Sequence, residues 1–215
     1  MYVPHFNALD GHAEITRLVQ IVGSAELITT GADGYPLATL LPVVWDEQRL
    51  ILHMARANPH WRSITEDVAG TPALAVVTGS QAYVSPSWYP SKAEHGRVVP
   101  TWNYSAVHFI GRVRRHHDPG WLLDAVSRLT HLNESRREEP WAVADAPTTY
   151  VEKQLRAIVG IELTIEKVEA KAKLSQNRDD ADFAGVVTGL RSEGSGREHE
   201  VADQMDALDR RAPDR

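Results

Sequence analysis

Ala25-Glu26-Leu27-Ile28-Thr29-Thr30, the turn Gly31-Ala32-Asp33-Gly34 and the run Leu37–Trp45 (LATLLPVVW) form the stretch that decides the fold. Apolar and β-branched residues on either side of a Gly- and Asp-containing turn signal a β-hairpin. Leu50–Met54 repeats the pattern across Asp46-Glu47-Gln48-Arg49 and predicts a second hairpin. No helical pattern separates these strands, whereas a parallel nucleotide-binding sheet needs a crossover helix between each pair. Further along, strands are predicted at Pro72–Thr78 and Gln81–Ser85, parted by Gly79-Ser80, and a long one over Trp102–Arg115. Ile161, Leu163 and Ile165 alternate with polar residues; Val168, Ala170, Ala172 and Leu174 then alternate in the opposite phase. A bulge near Lys167 would produce that flip.

Helices are predicted on either side of the strands. Asp10 caps a first one that ends at Gly23, Asn58-Pro59 opens a short one, and Asp118-Pro119 and Asp145-Ala146-Pro147 start two more. Asp180 to Leu190 carries a helical apolar stripe through Phe183, Val186, Val187 and Leu190. Pro86 to Pro100 reads as a polar loop, and loops of that length are often functional. The sum is an α+β, mainly β fold: a mostly antiparallel barrel with peripheral helices. Residues 1–190 read as one domain and 191–215 as a polar, flexible tail, in which Val201, Met205 and Leu208 form only a weak helical pattern.

Composition removes several function classes. With 215 residues and 42% hydrophobic content, a full core is available without staples. The absence of cysteine excludes disulfides, zinc ribbons, iron–sulfur clusters and thiol catalysis. A net charge of −6 is the wrong sign for wrapping nucleic acid by bulk charge. No apolar run approaches the roughly 18 residues of a membrane span, and Met1–Asp10 has no basic, apolar leader pattern. A cytoplasmic protein is expected.

The common nucleotide, hydrolase and metalloprotease motifs are missing, and the histidines do not pair at metal-ligand spacing. What stands out is Met54–Tyr104, which holds three of the six Trp and three of the six Tyr among Arg56, Asn58, His60, Arg62, Lys92, Arg97 and several serines. Aromatics give stacking area and Arg, Lys and Ser give donors, a mixture suited to a flat aromatic ligand with a phosphate. Each piece also has a plain structural reading: Trp61 and Trp102 as core, Arg56 as a surface ion pair, Lys173 to Arg178 as a solvated strand end.

Longer strings say more. Met1-Tyr2-Val3-Pro4, His53–Trp61 (HMARANPHW), Tyr83–Tyr89 (YVSPSWY), Val99–Tyr104 (VPTWNY) with Val107-His108, Ile158-Val159-Gly160 and Lys173–Arg178 (KLSQNR) together resemble the PaiB-like family of FMN-binding negative transcriptional regulators. The resemblance runs in order from Met1 to about Leu190. It implies an FMN-binding split β-barrel, a homodimer with FMN at the dimer interface. Thr39 and Leu40 would line the isoalloxazine. Arg56 and Asn58 would reach the phosphate, as would Ser85 and Lys92, with Trp88 and Trp102 nearby. Lys173, Ser175, Gln176 and Asn177 would approach the flavin from the partner chain. Leu40 stands where the family pattern has a histidine before Leu41-Pro42, so that imidazole's role is lost. DNA enters only through the resemblance, since no helix-turn-helix is recognisable. An FMN-dependent oxidoreductase is the alternative, or a haem-binding, piperazate-synthase-like enzyme with His60, His53 or His108 as axial ligand. No metal site is expected.

Overall fold

The computed structural model describes residues 1–208; the end of the expected tail, 209–215, lies outside the described residues. Six strands form a closed barrel in the order β1-β2-β3-β6-β5-β4, with β1 Ser24–Thr30, β2 Pro36–Asp46, β3 Arg49–Ala55, β4 Thr71–Val84, β5 Thr101–His116 and β6 Ile158–Lys173. The helices are α1 His12–Val22, α2 Ser91–His95, α3 Pro119–Glu134, α4 Thr148–Leu155, α5 Asp180–Glu193 and α6 Gly196–Asp206. The chain divides into two compact units, and β4, β5 and β6 each contribute one end to either unit.

The hairpin unit holds Thr16–Val77 and His108–Val168. Its β1–β2 ladder runs from Ser24↔Pro42 to Thr30↔Pro36, while β2 and β3 pair only from Val43↔Leu52 to Asp46↔Arg49. Beyond that point the two strands separate: Pro36–Pro42 keep β1, and His53–Ala55 keep β6. The 3-10 turn Pro59–Ser63 follows β3 directly, and its His60 reaches Thr39 on the diverging β2. Leu27, Val43, Leu50, Leu52, Ile161 and Leu163 fill the interior. Outside, α3 packs so closely that a Cβ on Gly160 would lie 2.1 Å from the ring of Trp121, which itself stacks on His116 at 4.1 Å.

The terminal unit holds Met1–Ile15, Thr78–Val107 and the chain from Glu169 onward. Two expectations are corrected here. The pair of strands parted by Gly79-Ser80 is one continuous strand, β4, because Gly79 does not take a positive φ and nothing reverses the chain. The buried side instead shifts phase, from Ala75 and Val77 to Ala82 and Val84. The flexible tail is also absent as far as residue 208: α5 extends to Glu193, and α6 buries Val201, Ala202 and Met205 against Ala82, Val84, Phe183, Val186 and Leu190. These three apolar side chains share one helical face, and tertiary packing rather than helix propensity holds so polar a helix. In β6 the expected phase flip is present, with Ile161 and Leu163 buried before it and Ala170, Ala172 and Leu174 after it. The polar stretch 86–100 carries a 3-10 turn, Pro86–Trp88, and α2.

Candidate functional site

In the hairpin unit, Asn58 caps the turn Pro59–Ser63 by accepting from the His60 backbone N–H at 3.0 Å. Its amide nitrogen donates to Thr39 Oγ1 at 3.3 Å. His60 is buried, with Nδ1 2.8 Å from Thr39 Oγ1 and Nε2 2.9 Å from Thr29 Oγ1. Burial pushes its pKa down, so the ring is held neutral. Thr39 and Leu40 are neighbours on a strand and so face opposite sides: Thr39 looks toward His60, while Leu40 is 66% exposed. Arg56 is exposed, but its Nε donates to Arg156 O at 2.9 Å and its Nη2 to Ile158 O at 3.3 Å, tying the end of β3 to the start of β6. Trp61 Nε1 donates to Arg56 O at 2.9 Å, with the Arg62 and Arg115 guanidinium groups against its ring.

Of the three histidines expected as axial ligands in the haem alternative, His60 has both ring nitrogens hydrogen-bonded, to Thr39 and Thr29. His53 lies on β3 opposite Gly160, its pKa lowered by burial. His108 lies half-buried on β5.

In the terminal unit, one face of the β4–β5–β6 ends packs on α5 and α6. Tyr83 and Trp102 carry the exposed aromatic surface of these strand ends, 49% and 45% exposed. Their ring centroids are 6.4 Å apart, and Trp102 Nε1 donates to Gln81 Oε1 at 2.9 Å. Lys173 Nζ donates to Trp102 O at 2.8 Å and to Thr101 Oγ1. Lys171, buried, sets its ammonium over the rings of Tyr2 and Tyr104 and donates to Tyr2 O. Among the described residues no carboxylate pairs with either lysine. Burial, then the charges of Lys171 and Arg178, hold the Lys173 pKa below its ordinary value. Ser175 takes φ 64°, rare for a residue with a side chain, and exchanges two hydrogen bonds with buried Asn103. Gln176 accepts from Leu174 N and donates to Ala172 O, closing the end of β6, while Asn177 is exposed.

The 85–92 string serves packing more than display. Ser85 caps its turn by accepting from Ser87 N at 3.2 Å. Trp88 lies on α5, where a Cβ on Gly189 would fall 2.2 Å from its ring, and it donates to Glu193 at 2.9 Å. Lys92, exposed, donates to Ser87 Oγ at 3.1 Å. Sequence reasoning missed Tyr2 and Tyr104 as partners of Lys171, Thr101 as a partner of Lys173 and Asn103 as the partner of Ser175. Period-two alternation puts Trp102 and Tyr104 on one face, but the cross-strand register that brings lysines beside them is not written locally.

An aromatic surface with two lysines lacking counter-charges fits a planar, anionic group. Residues 1–167 match the family described as "Putative FMN-binding domain". "Protease synthase and sporulation protein PAI 2" of Bacillus subtilis is 31% identical over 96% of this chain and 97% of its own. Among solved structures, a FAD and haem binding protein from Mycobacterium smegmatis superposes with TM-score 0.59 at 18% identity, over 83% of this chain and 79% of that one. The flavocytochrome Anf3 from Azotobacter vinelandii gives 0.55 at 14%, over 84% and 76%. At those identities the likeness speaks for the split-barrel fold alone. With the profile and the Bacillus relative agreeing across the sequence, the chain belongs to the FMN-binding family that includes PaiB.

Proposed function

We propose that this protein binds FMN as a cytoplasmic homodimer and acts as a regulatory flavoprotein of the PaiB type. The observation that carries the reading is Lys173, a half-buried lysine whose ammonium donates to the Trp102 carbonyl and the Thr101 hydroxyl and has no counter-charge among the described residues. Such an arrangement costs stability unless an anionic ligand answers it. Arg56 and Asn58 are the proposed phosphate contacts, and the Lys173–Asn177 string of one chain is proposed to serve the flavin of its partner. FMN supplies hydride or electron transfer when bound; the protein supplies position and charge. The regulatory part rests on the resemblance to the PaiB-like family of negative transcriptional regulators, to which the Bacillus relative named "Protease synthase and sporulation protein PAI 2" is the counterpart.

The test is the visible spectrum of the purified protein and an FMN titration, repeated on Lys173→Met. The expected result is a flavin spectrum and a loss in affinity of about 10- to 150-fold, the worth of a charged hydrogen bond. A protein that stays colourless and takes up no FMN overturns the flavin reading, and unchanged affinity in Lys173→Met removes Lys173 from the site.

A further inference from the structure

The polar cluster around His60 has a proton arrangement that can be derived link by link. Ser63 Oγ lies 2.8 Å from His60 O, and a carbonyl only accepts, so the Ser63 proton points there. Thr29 Oγ1, 3.3 Å from Ser63 Oγ, must then donate to it. With its proton spent, Thr29 accepts from His60, which fixes the proton of the neutral ring on Nε2. His60 Nδ1 is therefore an acceptor, and Thr39 donates to it. From the other end, the Asn58 carbonyl is fixed by the His60 backbone N–H, so the Asn58 amide NH₂ faces Thr39 and donates to it. Both ends of the chain are anchored on the backbone of His60. One consistent direction results: Asn58 to Thr39 to His60, then His60 to Thr29 to Ser63 to the His60 carbonyl.

We propose that Thr39 is a specificity-determining residue whose hydroxyl is locked as an acceptor, so that the ligand edge reaching it must bear an N–H. The Thr39 oxygen has given its only proton to His60 and taken one from Asn58. Its remaining lone pair can receive a hydrogen bond and cannot return one. Thr39 is half-buried, on the stretch of β2 that pairs with β1 after leaving β3, so it is reachable from outside the cluster. A carbonyl edge presented there would face a lone pair, whereas the imide N–H of an isoalloxazine would be complemented. The inference rests on the flavin reading for the identity of the ligand, though not for the direction of the proton chain.

Two measurements separate these parts. Nitrogen-15 shifts of the His60 ring at neutral pH are expected to show Nε2 protonated and Nδ1 bare; a protonated Nδ1 overturns the locked acceptor whether or not flavin binds. FMN and its N3-methyl analogue are then titrated against wild type, Thr39→Val, Thr39→Ser and Ser63→Ala. Wild type and Thr39→Ser are expected to prefer FMN by about tenfold. Thr39→Val should lose the preference, and Ser63→Ala, which frees the Thr29 proton and lets the ring change tautomer, should weaken it. Equal binding of the two flavins by wild type overturns the proposal. Failure of wild type to bind FMN at all overturns the flavin reading and the ligand assignment with it, while the ring shifts still decide the proton chain.

Discussion

Glu162 in the hairpin unit is buried between two arginines, Arg114 at 2.7 Å and Arg49 at 3.3 Å, and Arg49 and Arg128 share Asp46. In the terminal unit Lys171 is buried and Lys173 half-buried, yet their ammonium groups meet carbonyls, a hydroxyl and aromatic rings instead of acids. The first arrangement is complete within the chain and ties four strands and a helix together. The second keeps an unanswered charge, which folding alone does not require. The contrast separates charges that build the structure from a charge proposed to be kept for a ligand.

Removing the central acid should have the largest effect on stability. Glu162→Gln is expected to lower it by about 3 kcal/mol, near the lower end for breaking a buried pair because the arginines are partly exposed. A urea titration reads this as a lower midpoint at unchanged slope. Lys173→Met should do the reverse, staying within about 1 kcal/mol of wild type in the same titration while losing FMN. If Lys173→Met unfolds as readily as Glu162→Gln, the lysine belongs to the architecture and the distinction between the units fails.

A smaller effect follows from pH. Burial is the leading cause that lowers the pKa of His53, His60 and His116 below 6.5. The unfolded chain takes up these protons near that value and the folded one does not, so the unfolded state binds more protons as the solution is acidified. Stability from the neutral rings is thus complete above pH 6.5 and falls as pH drops through the folded values. Thermal melts from pH 8 to 5 should show the decline starting near pH 6.5, and a flat profile would contradict neutral buried rings. All three histidines belong to the hairpin unit, so replacing His60 by Gln should blunt the decline.

The smallest expected effect is none. With a net charge of −6, the purified protein should not retard non-specific duplex DNA at physiological salt. Retardation with a salt slope of several times about −0.9, one increment per phosphate neutralised, would give the surface arginines a role that the ion pairs do not.

The two units also differ in how well the sequence describes them. The hairpins β1–β2 and β2–β3 were readable because turn residues and alternation are local, and α3 announced itself through Asp118-Pro119. Gly79-Ser80 misled because glycine marks a turn only when it takes a conformation others avoid, which depends on the rest of the fold. α6 was missed because its three core residues lie in a strongly polar sequence and gain their stability from packing on α5 and on the distant strand residues Ala82 and Val84. At the site, the types of residue were legible as suited to an aromatic anion. The direction of the His60 proton chain was not, since Thr29, Thr39 and Ser63 are ordinary residues until pairing brings them to one ring.

The way α6 completes the apolar cluster of the terminal unit bears on synthesis. Ala82, Val84 and the first half of β5 leave the ribosome long before Val201 and Met205 are made. At about 5–20 residues per second, the interval is on the order of ten seconds. During that time these strand ends lack the helix that covers them, and bare strands of this kind are where nascent chains associate wrongly. The hairpin strands β1 to β3, by contrast, are contiguous and can pair as they emerge. Translation thus delivers the two units at different times, and the one proposed to hold the flavin lysines is the one that must wait.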